Sequence, residues 1–310
     1  LMRTDSPRRR PRARRLAPGL ALMCAALMTG PVLATESGRT YFAHGGQVAY
    51  AGFMPAPGTV QVYGYSLFYD VDSLRDNEGN SIPGVSAEAF ALAPRAIYTF
   101  EQPWHGYKVS VGGLAQALHL GLNTPMGQFF DNGALLFGLE AYLSRSFGNF
   151  HVMGGLMAYL PWGNYDPNAV VNVMFNRYGG AINTAVSWVP TPRWDVSLTL
   201  GHEFKGRNRD TQYRDGQQTG LTYGVAYRPF EDTRWDLGFS GYYTVQVEDD
   251  RQSGVTVEGQ RLRKVTIGPK ASFWFNPTAA VIVQWQKEYE VRNAPRGDQF
   301  WLMTSFRLGS

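Results

Sequence analysis

Histidines and one serine–histidine pair are the first residues in this 310-residue chain that could do chemistry. Metal sites often use two histidines spaced four apart on one face of a helix, and no pair here has that spacing. The five histidines are His44, His105, His119, His151 and His202. Ser197 and His202 could act as nucleophile and base, but their odd separation places them on opposite faces of an extended strand. We therefore expect no enzyme activity, no metal and no cofactor.

Two acidic stretches could hold divalent cations. The first contains Asp70, Asp72 and Asp76 and continues through Asn77, Glu78 and Asn80. It departs from a calcium loop, since Leu74 stands where a third oxygen ligand is needed. The second stretch is Asp249-Asp250. Divalent ions bound at either stretch could link the protein to lipopolysaccharide, and a solvated external loop is the alternative.

The remaining polar residues recur at every second position of long segments. Residues 194–206 and 234–247 show this alternation most clearly. A period of two gives each strand one apolar and one polar face. Soluble strands average about 5–6 residues, whereas a tilted strand needs roughly 9–11 to cross a bilayer. The pattern therefore predicts an all-β fold, a single-chain antiparallel transmembrane β-barrel.

We predict twelve strands from the alternation, separated by short turns on one side and longer loops on the other. An even count leaves both chain ends on the periplasmic side. The predicted segments are 59–70, 86–100, 106–118, 133–146, 149–160, 175–189, 194–206, 217–229, 234–247, 260–275, 279–291 and 298–308.

The polar face of these strands should point into the barrel. The candidate lumen residues are Lys108, Gln116, Glu140, Asp195, Glu203, Arg228, Asp236, Gln246, Lys270, Gln284, Gln286 and Arg307. Such a lumen could hold water and conduct solutes, and its mixed charge does not favour strong ion selectivity. Alternatively, opposite charges pair across a narrow lumen and fill it.

Tryptophans cluster near the predicted short turns. Trp104, Trp188, Trp194 and Trp235 lie in or within two residues of them. Because tryptophan prefers the membrane–water interface, these four predict an aromatic girdle. Trp274 also lies near a turn, but the alternation points it inward.

The first 34 residues have the pattern of a secretory signal peptide. Seven arginines and one aspartate precede or flank a short apolar core, Leu20–Met28, and Val32-Leu33-Ala34 supplies a cleavage site after Ala34. This segment carries a net charge of +6 and the whole chain a net charge of +4, so the remaining residues carry −2. The basic balance therefore does not indicate nucleic-acid binding. The single cysteine, Cys24, also lies in this segment.

Residues 35–58 are rich in Gly, Pro and aromatic residues and alternate poorly. They could be a periplasmic lead-in or a plug folded into the lumen. Residues 59–310 would form the barrel. The mean hydropathy of −0.26 excludes a bundle of membrane helices and is compatible with a barrel, because every second strand residue is polar.

Several segments resemble a known family. They are Gly52–Gly58 (GFMPAPG), Tyr159–Asp166 (YLPWGNYD), Gln212-Tyr213, Gly238–Tyr242 and Lys264–Gly268. In this order they are similar to the "putative meta-pathway of phenol degradation" family of outer-membrane β-barrels. Trp162 departs from the family pattern, which has a small residue such as Thr there.

The resemblance implies a bacterial outer-membrane channel for passive uptake of small hydrophobic or aromatic compounds. Its partners would be outer-membrane lipid, lipopolysaccharide, the solute and the outer-membrane assembly machinery. The terminal strand Phe300–Leu308 resembles the signal that this machinery recognises. Two alternatives stay open: a barrel enzyme that acts on lipid, and a structural barrel with a closed lumen.

Overall fold

The computed structural model describes residues 39–41 and 44–308. The predicted signal peptide and its cleavage site after Ala34 lie outside these residues. The described chain is all β. Its strands are β1 (Val60–Arg75), β2 (Ser81–Ile82), β3 (Ser86–Thr99), β4 (Lys108–Thr124), β5 (Gly127–Phe147), β6 (Phe150–Pro161), β7 (Gly179–Trp188), β8 (Trp194–Lys205), β9 (Tyr213–Arg214), β10 (Gln218–Tyr227), β11 (Trp235–Gln246), β12 (Asp250–Gln252), β13 (Val255–Val257), β14 (Arg263–Asn276), β15 (Ala279–Arg292) and β16 (Ala294–Leu308).

Twelve of these strands form one closed antiparallel barrel, as the alternation predicted. Each long strand pairs with the next long strand along the chain, and β16 pairs with β1 to close the ring. The closing register runs from Val60 opposite Leu308 to Arg75 opposite Ala294. Closure leaves no strand edge with unpaired backbone groups, which is what a hydrocarbon environment requires.

The barrel wall is inverted relative to a soluble protein. In β8 the apolar side chains are exposed and the polar side chains are buried. The exposed members are Leu198, Leu200 and Phe204, and the buried ones are Ser197, Thr199 and Glu203. Burial of polar groups is unfavourable unless they find partners, so this arrangement is stable only with lipid outside and a polar interior.

The strands on one side of the barrel are much longer than a bilayer requires. β5 has 21 residues, which is roughly 70 Å of extended chain. The predicted strands 106–118 and 133–146 leave residues 119–132 as a loop, and this prediction is wrong. β4 and β5 continue to a two-residue turn at Pro125-Met126. Thr124 Oγ1 stabilises this turn, accepting from the N–H of Met126 at 3.1 Å. The polar residues within 119–132 obscured the strand alternation, because the strands continue beyond the length that crosses the bilayer.

The predicted loop at 292–297 is also wrong. β15 and β16 are separated by Asn293 alone, which has a φ of 47°. Asparagine tolerates this left-handed conformation better than most residues. Its side-chain amide donates to the carbonyls of Gly259 and Arg261, at 2.9 and 3.0 Å. Asn293 therefore joins the β15–β16 turn to the loop between β13 and β14.

The acidic loops have internal partners. Asp76 accepts hydrogen bonds from the N–H groups of Glu78 and Asn80, at 3.0 and 2.8 Å. Asp249 pairs with Arg261 at 2.8 Å, and these hydrogen bonds lower the pKa of Asp249. Burial raises the pKa of Asp250, and the nearby charge of Asp215 adds to this effect.

Asp250 is part of a small external sheet. β12 pairs with β13 and with β9. The Asp250 carboxylate accepts from the Tyr213 hydroxyl, from the N–H of Gly216 at 2.8 Å and from Gln246 Nε2 at 2.6 Å. In the part of the chain that the structure describes, no helix is long and apolar enough to cross a membrane.

Candidate functional site in the barrel lumen

Residues 39–41 and 44–55, here called the N-terminal lumen segment, lie inside the barrel, and residues 56–58, which lead into β1, are exposed. Gly45 shows the placement most directly. Its carbonyl accepts from Gln284 Nε2 at 2.6 Å, and its N–H donates to Thr222 Oγ1 at 3.2 Å. The carbonyl of Val48 accepts from Lys270 Nζ at 3.2 Å. Inward side chains of β10, β14 and β15 thus take the place of a partner strand for this backbone.

Three consecutive backbone N–H groups continue the same pattern on β7 and β8. Tyr50 donates to Asp195 Oδ2 at 3.0 Å, and Ala51 donates to Ser197 Oγ at 3.2 Å. Gly52 donates to Ser187 Oγ at 3.0 Å. An unpaired buried N–H costs about as much as a lost hydrogen bond. These polar strand residues therefore satisfy an irregular backbone in the interior.

The start of the segment contacts a buried charged group on β8. The Tyr41 N–H donates to Glu203 Oε2 at 3.0 Å, and the Thr40 hydroxyl also contacts this carboxylate. His44 Nε2 lies 3.5 Å from Glu203 Oε1. Glu203 is fully buried. A buried carboxylate needs several partners to offset its lost hydration, and the segment supplies three of them.

The segment closes the lumen toward the short turns. Ala51 and Met54 pack into one apolar cluster with wall residues of β3, β5 and β6. The wall members include Ile97, Tyr142 and Met153, each 2% exposed or less. Water does not reach these side chains, so the wall and the segment are in direct contact at this level.

Above this closure, on the loop side, the lumen contains an apolar cavity of about 890 Å³. Its wall is built by β1, β3, β4 and β5, opposite the segment. Small residues on β3 make the space and leucines on β4 line it; they are Ala87, Ala89, Ala91 and Ala93, and Leu114, Leu118, Leu120 and Leu122. Ligand cavities typically measure about 300–1,000 Å³ and are mostly apolar with a few polar groups.

The long loop 162–178 folds over the mouth of the cavity. Val170, Val171 and Phe175 line it from above. The N–H of Val173 donates to Asp131 Oδ2 at 2.6 Å, which attaches the loop to β5. Arg177, at the end of the loop, forms a buried ion pair with Asp215 at 2.6 Å.

A polar group lies at the inner end of the cavity. Arg95 of β3 donates from Nε to Glu140 Oε2 of β5 at 2.7 Å and from a terminal nitrogen to the Tyr142 hydroxyl at 2.8 Å. Asn183 of β7 also lines the cavity. Glu140 is 5% exposed and Asn183 is 1% exposed. The cavity thus combines a mostly apolar lining with this polar group at its inner end, and Gln218, Lys264 and Gln299 also contribute to the lining.

The candidate lumen residues fall into three groups. Seven of them contact the segment directly, namely Lys108, Asp195, Glu203, Arg228, Lys270, Gln284 and Gln286, and Asp236 accepts from Trp274, whose ring packs against Tyr50 of the segment. Gln116 and Glu140 line the apolar cavity. Gln246 holds Asp250 at the loop side, and Arg307 is exposed at the opposite mouth. The polar candidates therefore mostly hold the segment, and the cavity wall is mostly apolar.

Reasoning from the sequence missed Arg95, Tyr142 and Asn183. Strict alternation along 86–100 would have placed Arg95 inward, together with Ile97 and Thr99. The apolar cavity wall was missed because residues 89–93 are apolar on both faces of the strand, which hides the direction of each side chain.

The four girdle tryptophans are exposed on the outer surface, at 40–57%. Trp188 stacks on Phe150 with ring centres 6.2 Å apart. Trp194 lies 4.7 Å from Tyr227, and Trp235 lies 4.8 Å from Phe273. The outward rings thus form pairs across neighbouring strands near the short turns. Trp274 points inward and donates to Asp236 Oδ2 at 2.7 Å.

The side chains of Ser197 and His202 point to opposite faces of β8. Ser197 Oγ is buried and donates to Asp195 at 2.7 Å. His202 points outward, and its ring nitrogens contact Thr219 Oγ1 at 2.8 Å and Gln217 Oε1 at 2.9 Å. Among the described residues no group of three or more His, Cys, Asp or Glu side chains is arranged to hold a metal.

Comparison with known proteins gives one family and several solved barrels. The model of the family described as "Putative MetA-pathway of phenol degradation" matches residues 71–304. An outer membrane channel from Pseudomonas putida F1 is similar in structure, with a TM-score of 0.73 and 16% identity, covering 85% of this chain and 98% of that one. The β domain of the Bordetella autotransporter BrkA gives a TM-score of 0.52 at 10% identity, covering 81% of this chain and 100% of that one. No curated protein matches the sequence significantly.

Proposed function

Because the chain belongs to this phenol-degradation family, we propose that it is an outer-membrane channel for passive uptake of small hydrophobic or aromatic compounds. The observation that carries the proposal is the apolar cavity of about 890 Å³ inside the barrel. A channel for ions or sugars would need a wetted polar wall. Here many of the polar wall residues bind the N-terminal lumen segment, and the lining of the cavity is mostly apolar.

The apolar outer face of the barrel wall supports a location in the outer membrane. Exposed leucines and phenylalanines cover the outside of the strands, and the aromatic pairs near the short turns suit a lipid–water interface. The long strands and loops on the other side would contact lipopolysaccharide. Insertion would depend on the outer-membrane assembly machinery. The similarity to a solved outer membrane channel supports the fold on which this proposal rests.

In this proposal a solute enters at the loop side. Pro125 and Met126 at the β4–β5 turn and Val170 and Val171 of the long loop form the rim of the cavity. The solute moves down the alanine and leucine wall to the polar end at Arg95. Apolar burial of this kind is worth about 25 cal/mol per Å² of surface removed from water, which favours entry without an energy source.

Passage to the periplasm requires the N-terminal lumen segment to move. Ala51 and Met54 close the lumen against Ile97 and Met153. Among the described residues, hydrogen bonds and apolar contacts hold the segment against the barrel wall. Each internal hydrogen bond contributes only about 0.5–1.5 kcal/mol net, so partial displacement is energetically accessible.

Uptake of N-phenyl-1-naphthylamine by intact cells tests the function. This apolar dye becomes fluorescent after it crosses the outer membrane. Cells that produce the protein should take it up several times faster than cells that produce the Ala91→Trp variant, in which an indole projects into the cavity and narrows it. Phe90→Trp, which points outward on the same strand, is the matched control and should equal wild type. Equal rates for wild type and Ala91→Trp would contradict the proposal and favour a structural barrel.

A further inference from the structure

Two buried side chains at the polar end of the cavity have unused hydrogen-bonding capacity. Glu140 Oε1 has no partner, and neither the oxygen nor the nitrogen of the Asn183 amide has one. Both residues are more than nine-tenths buried, and both line the cavity. Buried polar atoms without partners are rare because each costs about 1–3 kcal/mol. Three of them, on two side chains at one end of a mostly apolar cavity, indicate a ligand that supplies the missing partners.

We propose that Glu140 and Asn183 form a hydroxyl-binding subsite for uncharged, hydroxyl-bearing hydrophobic molecules. The inference rests on the proposed uptake function and specifies its ligand. The hydroxyl donates its hydrogen to Glu140 Oε1 and accepts from the Asn183 amide. The hydrocarbon part of the ligand lies against the alanine and leucine wall above.

The positions of the two residues are fixed by the strand register. Glu140 and Tyr142 share the inward face of β5. Tyr142 is opposite Gly155 of β6, which is opposite Asn183 of β7. A side chain at Gly155 would collide with the Tyr142 ring and would lie 2.8 Å from Asn183 Oδ1. The glycine therefore lets Tyr142 and Asn183 approach each other across β6.

The same geometry disfavours carboxylate ligands. Arg95 is the cation nearest the subsite, and its guanidinium already donates to Glu140, Tyr142 and, at 3.4 Å, to Tyr65. Its charge is offset by Glu140 in a buried ion pair. A carboxylate would bring a second anion next to Glu140 and would find a donor only at Asn183. A neutral hydroxyl satisfies both residues without adding charge.

Three probes that share a propylphenyl group and differ in the para substituent test the subsite: 4-propylphenol, propylbenzene and 4-propylbenzoate. Binding is measured by calorimetry on the whole protein in lipid nanodiscs, with empty nanodiscs subtracted. Wild type should bind 4-propylphenol about tenfold more tightly than propylbenzene, since a hydrogen bond to a charged group adds roughly that factor. It should bind 4-propylbenzoate most weakly.

Variants test whether Glu140 and Asn183 cause the preference for 4-propylphenol. Asn183→Leu should remove most of the phenol preference and leave propylbenzene binding unchanged. Glu140→Gln should improve 4-propylbenzoate binding about tenfold, because the Arg95 charge is then uncompensated. Gln116→Leu changes another polar residue of the cavity wall and should leave the order of the three probes unchanged. Asn183→Ala provides a second, smaller replacement, and circular dichroism verifies the barrel in each variant.

The failures of the two proposals are distinguishable. If Asn183→Leu and Asn183→Ala keep the wild-type phenol preference, or if wild type binds phenol and propylbenzene equally, the hydroxyl subsite is wrong and the uptake function stands. If wild type binds none of the probes and the dye test also shows no cavity-dependent uptake, the proposed function itself fails.

Discussion

The backbone N–H of Tyr50 donates a hydrogen bond of 3.0 Å to the Asp195 carboxylate, which points inward from β8. Asp195 is 2% exposed, and Ser197 on the same strand face accepts from the next backbone N–H, that of Ala51. The wall residues thus bind the segment that closes the lumen. The closed state of the lumen therefore depends on side chains, such as that of Asp195, that can be replaced by mutation.

Replacing both acceptors should loosen the segment. In the double variant Asp195→Ala/Ser197→Ala the N–H groups of Tyr50 and Ala51 lose their partners, at a cost of about 1–3 kcal/mol each. We expect more frequent and larger conductance steps in planar bilayers. Thr199→Ala is the matched control, because Thr199 is fully buried on the same face and its hydroxyl has no hydrogen-bond partner. Conductance that is identical in the double variant and wild type would show that these contacts do not hold the segment.

A cross-link should have the opposite effect. A Cβ atom at Gly220 of β10 would overlap the His44 ring, 2.1 Å from Cε1, so replacing both residues, His44→Cys and Gly220→Cys, removes the ring and places two thiols close together. Cys24 is the chain's single cysteine and precedes the predicted cleavage site, so the mature protein would carry only this pair. Oxidation should reduce dye uptake, and dithiothreitol should restore it. Unchanged uptake in the oxidised protein would indicate lateral exit through the barrel wall.

The Arg95–Glu140 pair should matter for stability. Removing one partner of a buried ion pair typically costs about 3–5 kcal/mol. Arg95→Met should therefore lower the free energy of unfolding in urea by about that amount, because Glu140 is left unpaired. The double variant Arg95→Met/Glu140→Leu removes both charges and should recover most of the loss. A double variant as unstable as Arg95→Met would mean that packing around these side chains, rather than their charge, dominates.

The Asp249–Arg261 pair should be visible in a titration. Hydrogen bonds from Arg261 hold the pKa of Asp249 below its ordinary value. A lowered carboxyl pKa contributes stability above the unfolded-state pKa, and this contribution is lost as pH falls through the folded-state value. In Arg261→Ala the pKa of Asp249 should rise toward its ordinary value, as measured by NMR of the carboxyl carbon. An unchanged pKa would show that the pair does not form in solution.

Local pattern predicted most of the barrel. The alternation in β8 and β15 shows which side chains face inward, and the inward positions of Asp195, Glu203 and Gln284 follow from it. The same rule failed between 119 and 132, where polar residues of a strand above the bilayer resemble a loop. Alternation reports only whether a face is buried, so it loses meaning where both faces contact water.

The contents of the lumen could not be predicted in the same way. Gly45 and Gln284, which are joined by a hydrogen bond, are separated by 239 positions in the chain. Such a contact depends on closure of the whole barrel and leaves no local sequence signal. The apolar cavity is likewise a property of space between strands, produced by alanines on β3 opposite the segment. These features required the three-dimensional structure.

Crystals soaked in 4-bromophenol test the proposed ligand site directly, since the anomalous signal of bromine locates the ligand. We expect bromine density inside the barrel, against the wall that the alanines of β3 and the leucines of β4 form together, with the hydroxyl directed toward Glu140 and Asn183. Bromine density confined to the outer, lipid-facing surface, with none in the cavity, would contradict a ligand site in the lumen.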